Sequence, residues 1–163
     1  VGTEPGQVTP VPDEVRDLIS GRPVVGEMEQ AFVLLTASAD GPIDVCLLSR
    51  AELVTTASAV RLVVRSRKAR TNLGDTGRAT LVAVRGDTAH YLALQLLRTL
   101  DDGGAVAAEL EVVRHLTDSL GVELRPLLFK VEPRLATDER WDRTARLLDR
   151  LQAQSAGLPS PPR

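Results

Sequence analysis

The chain has 163 residues, a length that suits one domain burying roughly 70% of its unfolded surface. A net charge of −2 and only four aromatic residues (Phe32, Tyr91, Phe129, Trp141) supply neither a cationic field nor a stacking platform, which argues against nucleic acid as a partner. No apolar run reaches the roughly 18 residues of a membrane helix, and no secretory signal is visible.

The single Cys46 excludes an internal disulfide and a cysteine-based metal site. It lies in the apolar run Val45-Cys46-Leu47-Leu48 and is expected as a small core residue in a reducing, cytoplasmic setting. With 43% hydrophobic residues and few rings, the core has to be built from Val, Leu and Ala.

In chain order, residues 1–11 carry two prolines without periodicity and read as a flexible arm. Pro12-Asp13-Glu14 opens a short helix, with Val15, Leu18 and Ile19 on its apolar face and Gly21 as its stop. Residues 31–49 predict a hairpin: Phe32–Thr36 extended, a turn at Asp40-Gly41-Pro42, and a return over 43–49. Near-continuous apolar content in both arms implies cover on both faces, by barrel closure or by a subunit interface.

Residues 60–84 predict a strand, a cationic turn, a short helix and a second strand. Val60, Leu62 and Val64 alternate with Arg61, Val63 and Arg65, the period of a half-buried strand. Ser66 stands at a helix N-cap before Arg67, Lys68 and Arg70, and the helix is expected to end near Leu73, because Gly74 and Gly77 bracket a turn. Cations in a first helical turn oppose the dipole, an arrangement that suits an anion docked on free backbone N–H groups. A solvated basic turn is an equally good reading of that spacing.

Beyond it, Gly86-Asp87 turns into a long strand over 88–100. Residues 105–120 fit helical spacing (Val106, Leu110, Val113) and strand spacing alike. Residues 127–132 read as a short strand. Thr137 is expected to cap a helix with Trp141, Ala145, Leu148 and Leu151 on one face, and 155–163 form a disordered tail. His90 and His115 are expected at the surface, and no hydrolase, kinase or zinc signature occurs.

Ser66-Arg67-Lys68-Ala69, set between apolar strands, resembles the flavin-phosphate segment of the FMN-binding split-barrel family, which includes pyridoxamine 5′-phosphate oxidases. Asn72-Leu73 with Gly77-Arg78-Ala79-Thr80-Leu81 is similar to the continuation of that segment in its uncharacterised members. The resemblance spans about residues 12–102. The loop before the motif is shorter than usual. One extra residue lies between Ser66 and Asn72, so the phosphate-facing cation is Arg67 or Lys68, with Lys68 favoured by its spacing.

The resemblance implies a mainly β fold with flanking helices: a six-stranded antiparallel split β-barrel over 12–154, dimeric, with a strand over about 110–116. It implies FMN in a groove between subunits, with phosphate at Ser66, Arg67, Lys68, Arg70 and Asn72, and a wall from Leu47, Leu48 and Ser49. Cys46 falls on the same strand, where a plain core role is the better reading. A deazaflavin (F420), haem or no cofactor are the alternatives. The activity implied is flavin-dependent oxidation or reduction of a small molecule, with no catalytic side chain assigned, since flavin chemistry resides in the cofactor. The segment 157–163, Gly-Leu-Pro-Ser-Pro-Pro-Arg, is not the aromatic, arginine-bearing stretch of true pyridoxamine 5′-phosphate oxidases, and that activity is not expected.

Overall fold

Residues 8–157 are described by the computed structural model; positions 1–7 of the predicted arm and 158–163 of the predicted tail lie outside the described residues. Helix α1 (Asp13–Ile19) leads to β1 (Met28–Gln30), β2 (Phe32–Ala37) and β3 (Ile43–Leu48), and a 3-10 turn (Arg50–Glu52) joins β3 to β4 (Leu53–Thr55). Then follow β5 (Ala59–Val64), α2 (Arg67–Thr76), β6 (Arg78–Arg85), β7 (Thr88–Asp101), β8 (Val106–Ser119), β9 (Leu128–Lys130), α3 (Leu135–Asp138) and α4 (Trp141–Ala156).

Seven strands form one antiparallel sheet in the order β3-β2-β6-β7-β8-β5-β4, one more than the six expected. The extra count comes from the 3-10 turn, which interrupts the chain between β3 and β4 and carries it from one edge of the sheet to the other. Strands β1 and β9 pair separately. None of the described helices is long and apolar enough to cross a membrane.

Two cores result. Phe32, Leu34, Leu62, Leu81, Leu92 and Leu110 fill the concave side of the sheet, together with Val15 and Ile19 of α1 and Leu73 of α2. On the other side, Val63 and Ala107 meet Leu147, Leu148 and Leu151 of α4. Strand β5 is therefore buried along its whole length rather than on one face. Arg61, on the α4 side, survives burial because Glu109 lies 3.5 Å away and itself receives Arg98 and Ser155.

Several expectations need correction. The arm is packed at its end: Val11 is buried, and its N–H donates to the Ala57 carbonyl at 2.9 Å. Helix α2 runs through Gly74 to Thr76 and stops at Gly77, whose φ of +65° closes the last turn with an N–H donated to Leu73. The strand implied over about 110–116 is present and longer, spanning 106–119; bulges near Leu94 and Arg98 shift the register of β7 against β8 and so erase a simple alternation. The C-terminal helix starts at Trp141, not Thr137, because Arg140 adopts φ +53° and turns the chain. That turn sets Thr144 and Leu147 inward where Ala145 was expected, and the helix continues through Ser155 and Ala156.

The outer face of the sheet is open. Leu47, Val33, Val82, Tyr91 and Leu116 stand in one row across five strands, with Val45 and Leu35 beside it. Ile43, Val45 and Leu47 are 66%, 60% and 56% exposed, so the cover that the apolar hairpin implied is not supplied by the described residues.

Leu148 is buried between α4 and the sheet. Leu148→Asp is expected to lower stability by about 3 kcal/mol or more, through lost burial and a desolvated carboxylate. A thermal melt checks this; an unchanged melt would show that α4 is not part of the cooperative unit.

Candidate functional site

The turn between β5 and α2 has the chemistry of an anion site. Ser66 caps α2, its Oγ accepting from the Ala69 N–H at 3.3 Å, and the N–H groups of Arg67 and Lys68 have no intrahelical acceptor. Ser66, Arg67 and Lys68 are exposed. Arg67 enters no ion pair among the described residues, whereas Lys68 Nζ lies 3.4 Å from Asp44 Oδ1 of β3. Arg70 is half-buried, and its Nε meets no acceptor.

Asn72 departs from its predicted role. It is 4% exposed, and its Nδ2 donates to Thr36 Oγ1 at 3.2 Å and to Asp44 Oδ2 at 3.0 Å. Both amide hydrogens are used, so Asn72 bolts α2 to the β2–β3 hairpin and has none left for a ligand. Thr76 adds a second bolt, donating to the Ala37 carbonyl at 3.2 Å.

At the far end of β3, the predicted wall residues Leu47, Leu48 and Ser49 line one cleft of about 270 Å³, with Glu52, Phe129, Leu135 and Trp141. Ser49 and Glu52 form a capping box. The Ser49 N–H and Oγ donate to Glu52 Oε2 at 2.6 and 2.9 Å. Arg65 Nη1 lies 3.6 Å from Glu52 Oε1, and its other terminal nitrogen donates to Thr144 of α4. Arg65 directly precedes Ser66, so the cleft and the cationic turn share one strand end. Among the residues facing the cleft, Trp141 Nε1 is buried with no acceptor.

A larger groove of about 600 Å³ lies on the open sheet face, between Ile43, Leu35, Ala93 and Gln95. None of the predicted cofactor residues lines it. It meets α2 at Asp75 and Thr76, the negative end of the helix, which disfavours an anion.

His90 is 2% exposed, not at the surface as expected. Its Nδ1 lies 3.1 Å from His115 Nε2, and the ring planes differ by 6° with centroids 5.3 Å apart. Centroids that far apart at so short an N···N distance place the rings head to head in one plane, sharing a proton. Burial, the His115 charge and Arg85 lower His90's tendency to protonate, opposed by Glu14. Among the described residues no group of three or more potential metal ligands occurs.

Burial and the negative charge of Glu52 raise the Cys46 thiol, which fits a packing role. Asp44, Arg65, Glu52 and Trp141 were missed as site residues. Only Glu52 had a local signal, the S-x-x-E spacing from Ser49.

No protein-family model matches this chain, nor does any curated protein. Among solved structures, it resembles an FMN-binding protein from Syntrophomonas wolfei subsp. wolfei, at 16% identity with a TM-score of 0.50, over 68% of this chain and 85% of that one. It also resembles HupZ of Group A Streptococcus, at 14% identity with a TM-score of 0.52, over 71% of this chain and 99% of that one. The likeness shows a shared fold: a curled antiparallel sheet with flanking helices.

Burial pushes the Glu52 carboxyl up from 4.5, Glu139 adds to the rise, and the Ser49 hydrogen bonds and Arg65 pull it back. The folded state then holds this proton more tightly than the unfolded one. The group's stabilisation is present at low pH and lost as pH rises through the raised value. Melting temperatures of Glu52→Gln and the parent, compared from pH 4.5 to 7, are expected to shift progressively in favour of the glutamine. The opposite trend would show that Arg65 and Ser49 outweigh burial.

Proposed function

We propose that this protein is a homodimeric flavoprotein that binds FMN and uses it in the oxidation or reduction of a small molecule. The observation that carries the reading is the placement of two predicted groups at adjoining parts of one surface. An exposed, cation-bearing helix N-terminus at Ser66–Lys68 adjoins, through Arg65 and Glu52, the cleft lined by Leu47, Leu48 and Ser49. The fold shared with an FMN-binding protein supports the same reading.

The residues present fit the group. A phosphate dianion is met by the free N–H groups of α2, the Ser66 hydroxyl, and the side chains of Arg67 and Lys68. An uncharged ring system is met by the apolar walls Ala31, Leu47, Leu48, Phe129 and Leu135, beside the carboxylates of Glu52 and Glu139. FMN supplies the redox chemistry when bound; the chain's own residues bind and orient it. Asn72 acts from behind by fixing the angle of α2.

Asp44 sets an order between the two cations. Lys68 has to leave a carboxylate to reach a phosphate, while Arg67 has no ion pair to leave among the described residues. Arg67→Ala is expected to weaken FMN about tenfold, the worth of one charge-assisted contact of about 1.5 kcal/mol, and Lys68→Ala less. Asp44→Asn keeps an acceptor for Asn72 and frees Lys68, so FMN should bind more tightly. Riboflavin, which lacks the phosphate, should be indifferent to all three. Quenching of flavin fluorescence, at low and at physiological salt, measures each affinity. If no substitution changes FMN binding relative to riboflavin, Ser66–Lys68 is a solvated basic turn.

The partner is a second copy of this chain. The row Leu47, Val33, Val82, Tyr91, Leu116 and the exposed stripe Ile43, Val45, Leu47 form an apolar sheet face with none of the described residues over it. A twofold dimer through that face is expected in light scattering at micromolar concentration. A monomer would contradict the dimeric part of the proposal.

A further inference from the structure

His90 and His115 are the chain's two histidines, and the fold sets them nitrogen to nitrogen. In the β7–β8 register His90 lies opposite Thr117 and His115 opposite Leu92, so both rings stand on the concave side of the sheet. His90 is buried there under α1, and neither the anion site nor the cleft draws on it.

An N–H···N contact at 3.1 Å needs one of the two facing nitrogens to be bare. The neutral pair meets this condition, with the shared hydrogen on either ring. One added proton keeps it, because that proton goes to an outer nitrogen, His90 Nε2 or His115 Nδ1. A second proton puts hydrogens on both facing nitrogens and two like charges in contact, and the bond is lost.

The charged surroundings come from each element packed against the pair. Glu14 of α1 places Oε2 3.8 Å from His90 Nε2 and favours the first proton. Arg85 of β6 opposes it; its Nη1 lies 3.4 Å from Asp17 Oδ2 and from the Glu14 carbonyl oxygen, both on α1. Asp87, in the β6–β7 turn, lines a polar cavity of about 470 Å³ beside His90, together with Glu14, Arg85, Thr88 and Thr117. Arg114 and Asp118 of β8 alternate onto the opposite face. Apolar burial of Val11, Val15 and Ile19 holds the same segment down.

We propose that the His90–His115 pair is an acid-released latch for α1 and the chain leading into it. With at most one proton on the pair, the rings stay joined and α1 stays on the sheet. The second proton belongs to a state in which α1 has lifted and each ring is free. The sign follows from the proton count. Freed rings take up two protons near the ordinary histidine value of 6.5, whereas burial, His115 and Arg85 hold His90 below it in the closed state. Below about pH 6.5 the lifted state therefore binds about one proton more, and the lifted-to-closed ratio rises about tenfold per pH unit. The latch is independent of any flavin.

Amide exchange of the 15N-labelled full chain from pH 7 to about 4.5, corrected for its intrinsic pH dependence, measures the lifting. The Val11 N–H, which donates to the Ala57 carbonyl, and the Ser20 N–H, which donates to the Arg16 carbonyl, should lose protection about tenfold per pH unit. The Leu96 N–H, which donates to the Gly77 carbonyl, should keep its protection. His115→Gln offers His90 an acceptor that takes up no proton, and should flatten the pH dependence at Val11. A slope that persists in His115→Gln would assign the lifting to Glu14 and Asp17 and overturn the latch. So would protection at Val11 that ignores pH, or that falls in step with Leu96. If His115→Gln does not fold, the ring 15N resonances of the parent decide. One ring staying neutral while the other charges supports the latch, and two independent titrations near 6.5 overturn it.

Discussion

The carboxylate of Asp44 serves two groups at once, and the geometry of the site depends on how it divides itself. One oxygen accepts from Asn72 in the second turn of α2, and the other faces Lys68 in the first. Together with the Asn72 bond to Thr36, the Thr76 bond to the Ala37 carbonyl and the packing of Leu73 and Ala69, the first contact fixes α2 against the hairpin, since apolar packing alone does not set a helix's rotation about its axis. With it, the first turn has one orientation, and its free N–H groups have one direction. The second contact restrains a cation that an incoming anion would claim. A buried polar clasp thus costs some ligand affinity to secure a defined site.

The same logic runs through the rest of the chain. Buried and half-buried charge is tolerated where it is paired: Arg61 with Glu109, Arg50 with Glu29, Glu52 with Arg65 and Ser49. The pairs Arg61–Glu109 and Arg50–Glu29 join elements distant in sequence, so these contacts specify which strand lies against which more than they add net stability. The apolar outer face is the complementary case, a surface suited to a partner rather than to water.

What could be read from the residues was what is local. The 32–48 hairpin, the strand–turn–helix–strand of 59–85 and the Ser66 cap all follow from period and from a few turn residues, and all are present. Asn72 could be located on α2 but was given to the phosphate, because its two partners arrive from a hairpin 28 and 36 residues away in sequence. His90 looked exposed after a turn, yet α1 covers it from the other end of the chain, with Glu14 3.8 Å from its Nε2. Gly74 looked like a stop, but an exposed glycine inside a helix costs only about 1 kcal/mol, which packing of Leu73 and Ala69 outweighs. Cover of β5 on both faces was invisible for the same reason: α4 is a tertiary fact.

The central claim is that the first turn of α2 holds the phosphate of a flavin. The 31P resonance of FMN reports on that group and nothing else. On addition of the full-length chain it is expected to shift and broaden, and to return to its free position when excess inorganic phosphate or high salt displaces it. A 31P resonance that stays unmoved while the ring is demonstrably bound would contradict the claim, and would place the cofactor's phosphate in solvent.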